Sequence, residues 1–122
     1  MSASFGSVPI LKMASDKMGK VIAISNTEGR VWVAGTQRLQ QQLNFMTGDG
    51  PIRALAHLPS GVLATGGSSS IQLWDIETGQ MRLAIERLNG HVNAIVCFDN
   101  DKRMAVASGA EVMIFDTSIA ER

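Results

Sequence analysis

Apolar residues along this chain come in short clusters that alternate with polar ones, without a helical period. Val21 to Ile24, Ile71/Leu73, Met81/Leu83/Ile85, Val92 to Phe98 and Val112 to Phe115 are the clearest. Each has the length of one strand, and Gly, Pro, Ser, Asn and Asp punctuate the chain at intervals of roughly ten residues, which predicts short strands joined by turns. The chain is therefore expected to be all-β. Thr36 to Met46 is open to two readings. Leu39 and Leu43 stand four apart, which suits one face of a short helix, while Leu39, Leu43 and Phe45 suit a strand equally well. It is taken as an outer strand.

The strand pattern repeats. Pro51-Ile-Arg-Ala-Leu is matched by His91-Val-Asn-Ala-Ile, 40 residues on. Leu73-Trp74-Asp75 is matched by Ile114-Phe115-Asp116, 41 on, and Ala64-Thr65-Gly66 by Ala107-Ser108-Gly109, 43 on. Upstream, Pro9-Ile10 and Gly19 precede Pro51-Ile52 and Gly61 by 42. Periods of this size belong to propellers or helical arrays, and the strand-like pattern removes the arrays. The expected organisation is one domain, 1–122, of three units at about 8–46, 50–88 and 90–118.

Leu63-Ala64-Thr65-Gly66-Gly67 followed by Ser70-Ile-Gln-Leu-Trp74-Asp75-Ile-Glu-Thr-Gly79 resembles the repeat of the WD-repeat β-propeller family, as does the Gly90-His91 that opens the third unit. Phe115-Asp116 stands there in place of Trp-Asp. The resemblance runs from about Gly50 to Ser118 and is weaker from Val8 to Phe45, where Ala34-Gly35 falls at the Trp-Asp position. It implies four-stranded antiparallel blades around a central channel. It also implies a hydrogen-bonded tetrad of His, Ser or Thr, Asp and Trp in each blade. The second unit has Thr65 and Trp74, with Pro51 in the His position and Ser68 or Ser69 in the Asp position. The third has His91 and Ser108, but a turn at Ala110-Glu111 too short for the Asp, and Phe115 has no indole N–H. No unit completes the set, so the blades must rely on packing.

Closed propellers have roughly four to eight blades, so three blades make a partial propeller. The third unit leaves little sequence after its third strand. In the resembled family the last blade often takes its outer strand from the N-terminus, and Ser2 to Ser7 would be that strand. Open blades expose apolar faces and unpaired edges. Completion is expected from a second copy, giving six blades, or from a partner protein that supplies the rest; an excised piece of a longer chain is the third reading.

The rest of the composition narrows the function. Eleven basic residues balance eleven acidic ones, so the basic excess of a nucleic-acid binder is absent. The single Cys97 cannot form an internal disulfide, which points to a reducing, intracellular compartment, cytoplasm or nucleus. The N-terminal residues lack the pattern of a signal peptide, and no apolar run is long enough for a membrane span. No membrane or nucleic-acid partner is expected.

The chemistry-bearing residues have bland readings. His57, His91 and Cys97 lack the spacing of zinc ligands, and no cofactor is expected. Gly66 to Ser70 precedes a strand and lacks a following Lys, so it is a turn and not a phosphate loop. Asp99-Asn100-Asp101 lacks the spaced oxygens of a calcium loop. No nucleophile elbow occurs, and the aspartates fall at turns, where they bond their own backbone. Glu77 and Ser118 stand two positions after the repeat aspartates, where cullin-ligase receptors of the resembled family carry Arg or Lys.

The expected function is a non-enzymatic protein-interaction scaffold. Trp32, Arg53 and Asn93 are the candidate partner contacts, though a large aromatic such as Trp32 more often packs between sheets. The alternative is a small-ligand-binding or hydrolytic propeller with a pocket on the axis of an oligomer.

Overall fold

A computed structural model describes residues 1–121; Arg122, the last residue of the expected domain, lies outside the described residues. The chain is all-β, with three antiparallel sheets of four, four and three strands. The first contains β1 (Ile10–Ser15), β2 (Val21–Asn26), β3 (Arg30–Gly35) and β4 (Gln41–Met46), in that order. The second contains β5 (Ala54–Leu58), β6 (Val62–Gly66), β7 (Ile71–Asp75) and β8 (Met81–Ile85), again in order. The third contains β9 (Val92–Phe98), β10 (Arg103–Ser108) and β11 (Glu111–Asp116), followed by a 3-10 turn at Thr117–Glu121.

Consecutive strands pair through short connections, so each sheet is a meander built from local sequence. The expected outer strand at Thr36 to Met46 forms from Gln41 onward, and Thr36 to Gln40 is the turn before it. Leu39 has a left-handed backbone there (φ 55°), which stops any helix and separates Leu39 from Leu43. Leu43 and Phe45 then share the face that meets the second sheet.

Sheet-on-sheet packing makes the core. Between the first two sheets lie Ala23, Val31 and Phe45 against Ile52, Leu55, Leu63 and Trp74. Between the second and third lie Ala56, Leu58, Ala64, Ile71 and Leu73 against Val92, Ile95, Met104 and Val106. The middle sheet is thus covered on both faces, and β6, Val-Leu-Ala-Thr-Gly, is buried throughout. A strand covered on both sides reads as a continuous apolar run instead of an alternation.

The first strand of each sheet lies against the first strand of the next: β1 beside β5, and β5 beside β9. Two contacts join them. His57 Nε2 lies 2.9 Å from the Ala14 carbonyl, and Cys97 Sγ lies 3.6 Å from the His57 carbonyl.

The N-terminal residues form no strand within this chain. Instead Phe5 folds onto the far face of the first sheet with Ile24, Trp32 and Ala34. No helix among the described residues is long and apolar enough to cross a membrane.

Candidate interaction surface

The polar residues singled out by the repeat serve the turns. In the second sheet the Trp74 indole Nε1 donates to Thr65 Oγ1 at 3.2 Å, and both side chains are buried. Thr65 Oγ1 in turn reaches the Gln72 carbonyl at 3.4 Å. The Phe45 ring stacks on Trp74, centroids 4.1 Å apart, so the first sheet closes over this pair. Asp75 accepts the N–H groups of Glu77 and Thr78, and the Arg82 guanidinium lies 3.1 Å away. The Glu77 amide first and then Arg82 hold its carboxyl below the usual carboxylate range. Asp116 does the same work at the matching turn, accepting the Ser118 N–H at 2.8 Å.

The third sheet differs. Ser108 Oγ donates to the Gly90 carbonyl at 2.8 Å, and the exposed His91 contributes its carbonyl, which accepts the Gly109 N–H. Gly90 is required here because a Cβ would stand 2.7 Å from the Gly109 Cα. Strand pairing also sets the two hydroxyl residues at different levels. Thr65 is opposite Gln72, two residues before Trp74, whereas Ser108 is opposite Glu111, four before Phe115. Val106, opposite Met113, is the residue level with Thr65. Phe115 packs, half-buried, against the core shared by the second and third sheets.

Asp49 departs from the expectation that the aspartates bond the backbone of their own turns. Its carboxylate accepts the Ser69 and Ser70 N–H groups and both hydroxyls, at 2.7–3.2 Å. Its carbonyl accepts the Ser68 N–H. The Gly66–Ser70 turn therefore has an anion already, supplied by the linker from the first sheet. Gly67 permits the approach, since a Cβ there would lie 2.5 Å from Asp49 Oδ2. Asn89, forty residues on, ties the corresponding linker to Glu111 at 2.9 Å. The signal in the sequence was the pair Asp49-Gly50 and Asn89-Gly90 at the repeat spacing.

Of the three candidate contacts, Arg53 and Asn93 are exposed, near the start of β5 and within β9. Trp32 is buried, 4% exposed, with Phe5 edge-on at 5.8 Å between centroids.

Beside the two inner-strand contacts, a cleft of about 390 Å³ is lined by Ala14, His57, Ile95, Cys97 and Asp101 among others. Burial pushes the His57 imidazole below its ordinary value and the Cys97 thiol above its own, so both favour the neutral form. The thiol meets the main-chain carbonyl of His57, not its ring. Among the described residues no group of three or more His, Cys, Asp or Glu side chains is placed to hold a metal ion.

The third sheet leaves a row of apolar side chains exposed. Val96, Val112 and Ile114 are 56%, 72% and 57% exposed. They share one face with Ala94, Ala105 and Ala107, because Ala105 is opposite both Val96 and Ile114, and Ala107 opposite both Ala94 and Val112. The outer edge of β11 has no strand partner among the described residues.

No protein-family model matches the chain, and no curated protein matches it. Solved structures do. The chain is similar to the computationally designed Ika8 protein (TM-score 0.76, 18% identity over 91% of this chain and 34% of that one). It is also similar to the computationally designed Ika4 protein (TM-score 0.74, 18% identity, 88% and 65%). A chain of the Mitotic Checkpoint Complex gives TM-score 0.76 and 18% identity, covering 89% of this chain and 36% of that one. At this identity the likeness establishes the repeated all-β fold alone. The chain spans about a third of the length of two of these structures and 65% of the third.

Proposed function

We propose that this chain is a set of three WD-like propeller blades whose work is to bind protein, as a non-enzymatic scaffold. The observation that carries this reading is the bare face of the third sheet. Ile71 and Leu73 in the second sheet are fully buried beneath the third sheet. Val112 and Ile114, at the same places in the repeat, are exposed beside an open strand edge. An apolar face with an unpaired edge favours association. The repeated Trp-Asp and Phe-Asp turns support the WD-like assignment, since Asp75 and Asp116 cap equivalent turns in the same way.

The test compares the wild-type chain with a Val112→Lys/Ile114→Lys variant, both immobilised and exposed to cell extract. A protein retained by the wild type and lost by the variant, with the variant's circular dichroism unchanged, supports the scaffold. Thermal stabilisation by a metabolite or metal ion, with no protein retained, would favour the small-ligand alternative instead.

A further inference from the structure

The N-terminal segment and the third sheet each lack what the other has, and we propose that a second copy of this chain joins them. This rests on the blade reading above. In the first two sheets the fourth strand does two things. It pairs with the third strand, Val31 opposite Phe45 and Ile71 opposite Ile85. It also sends that paired residue onto the next sheet: Phe45 packs on Trp74, and Ile85 packs into the core shared with the third sheet.

Phe5, Phe45 and Ile85 are spaced 40 residues apart. Phe5 already performs the second task, lying 6% exposed against Trp32, Ile24 and Ala34 of the sheet that follows it. The backbone after it also takes the same path. The Pro9 carbonyl accepts the Thr27 N–H, as the Asp49 carbonyl accepts the Ser68 N–H in the next unit. Only the first task is unmet, because residues 2–5 pair with no strand among the described residues. The missing partner is a third strand without a fourth, and among the described residues β11 is that strand.

The register follows from the repeat. Val112 corresponds to Val31 and Ile71, and Ile114 to Val33 and Leu73. Phe5 of one copy is therefore opposite Val112 of the other, and Ala3 opposite Ile114. The outer face of the first sheet, with Met13 61% exposed, then covers Val96, Val112 and Ile114. The contact is head-to-tail. Made twice about a two-fold axis it closes on itself, and six sheets fall within the range of closed rings.

Cysteine trapping between two populations tests this. In a Cys97→Ser background one population carries Ala3→Cys and the other Ile114→Cys. Mixed under mild oxidation, they should form one covalent species of two chains, while Ala3→Cys mixed with Val96→Cys, two strands in from the edge, should not. Light scattering of the unmodified chain should give the mass of two chains, and deletion of residues 1–5 should reduce it to one. A single-chain mass at every concentration, or equal trapping at Val96 and Ile114, overturns the proposal. The scaffold reading fails separately, if the immobilised wild-type chain retains no extract protein, whatever its mass in solution.

Discussion

The second and third sheets carry nearly the same message in their third strands and meet opposite fates. Ile71-Gln-Leu73-Trp74-Asp75 and Val112-Met-Ile114-Phe115-Asp116 alternate alike and end in the same aspartate-capped turn. Yet Ile71 and Leu73 are fully buried and Val112 and Ile114 are mostly exposed. The difference is the neighbour: the third sheet covers the second, and none of the described residues covers Val112 and Ile114 of the third. An apolar pattern thus states what a face needs, while burial depends on what lies opposite.

The sharpest way to break this comparison is to truncate both faces. Leu73→Ala should cost about 2–5 kcal/mol in urea unfolding, the usual cost of emptying a packed site. Ile114→Ala should cost less than about 1 kcal/mol in a single chain, since little contact is lost at an exposed site. If Ile114→Ala costs as much as Leu73→Ala, and more so at higher protein concentration, the face is covered in solution by another copy.

A smaller effect separates the two sheets' polar ties. Thr65→Val removes the acceptor of the buried Trp74 indole and should cost about 1–3 kcal/mol, measured by the same unfolding. Ser108→Ala should cost about 1 kcal/mol, because a single hydrogen bond to the Gly90 carbonyl is lost without stranding an indole.

Next comes the turn held from outside. Asp49→Ala should cost about 1 kcal/mol and raise amide exchange at Ser69 and Ser70, whose N–H groups lose their acceptor. Asn89→Ala should have a lesser effect, because the Asn89–Glu111 pair is exposed.

The smallest effect is set by pH. Burial lowers the His57 pKa below its ordinary 6.5, so the unfolded chain binds this proton more readily than the folded one. Stability contributed by neutral His57 is present above 6.5 and is lost as pH falls below it toward the folded-state value. Urea midpoints measured from pH 7.5 down to 5 should fall, about in step with this linkage. His57→Gln should flatten that part of the profile.

Much of the local structure was legible in the letters. Turn residues at short intervals and period-two alternation located the strands around Val21, Ile71, Met81, Val92 and Val112, because a hairpin depends on neighbours in sequence. The turn aspartates Asp75 and Asp116 cap their own backbone, which needs no distant partner. Thr36 to Met46 was harder. A left-handed Leu39 splits it into turn and strand, and no residue type there demands that conformation. Asp49 escaped because its partners lie twenty residues away, across a sheet boundary.

The sequence by itself determined the all-β class, the recurrence of strand and turn, and which positions are apolar, since these follow from backbone preferences and short-range spacing. Tertiary structure decided which apolar faces are covered. It buried Trp32 under Phe5, closed Phe45 over Trp74, and left Val112 and Ile114 in the open. The physical reason is that burial belongs to pairs of surfaces, and a repeat written along one strand does not say what packs against it.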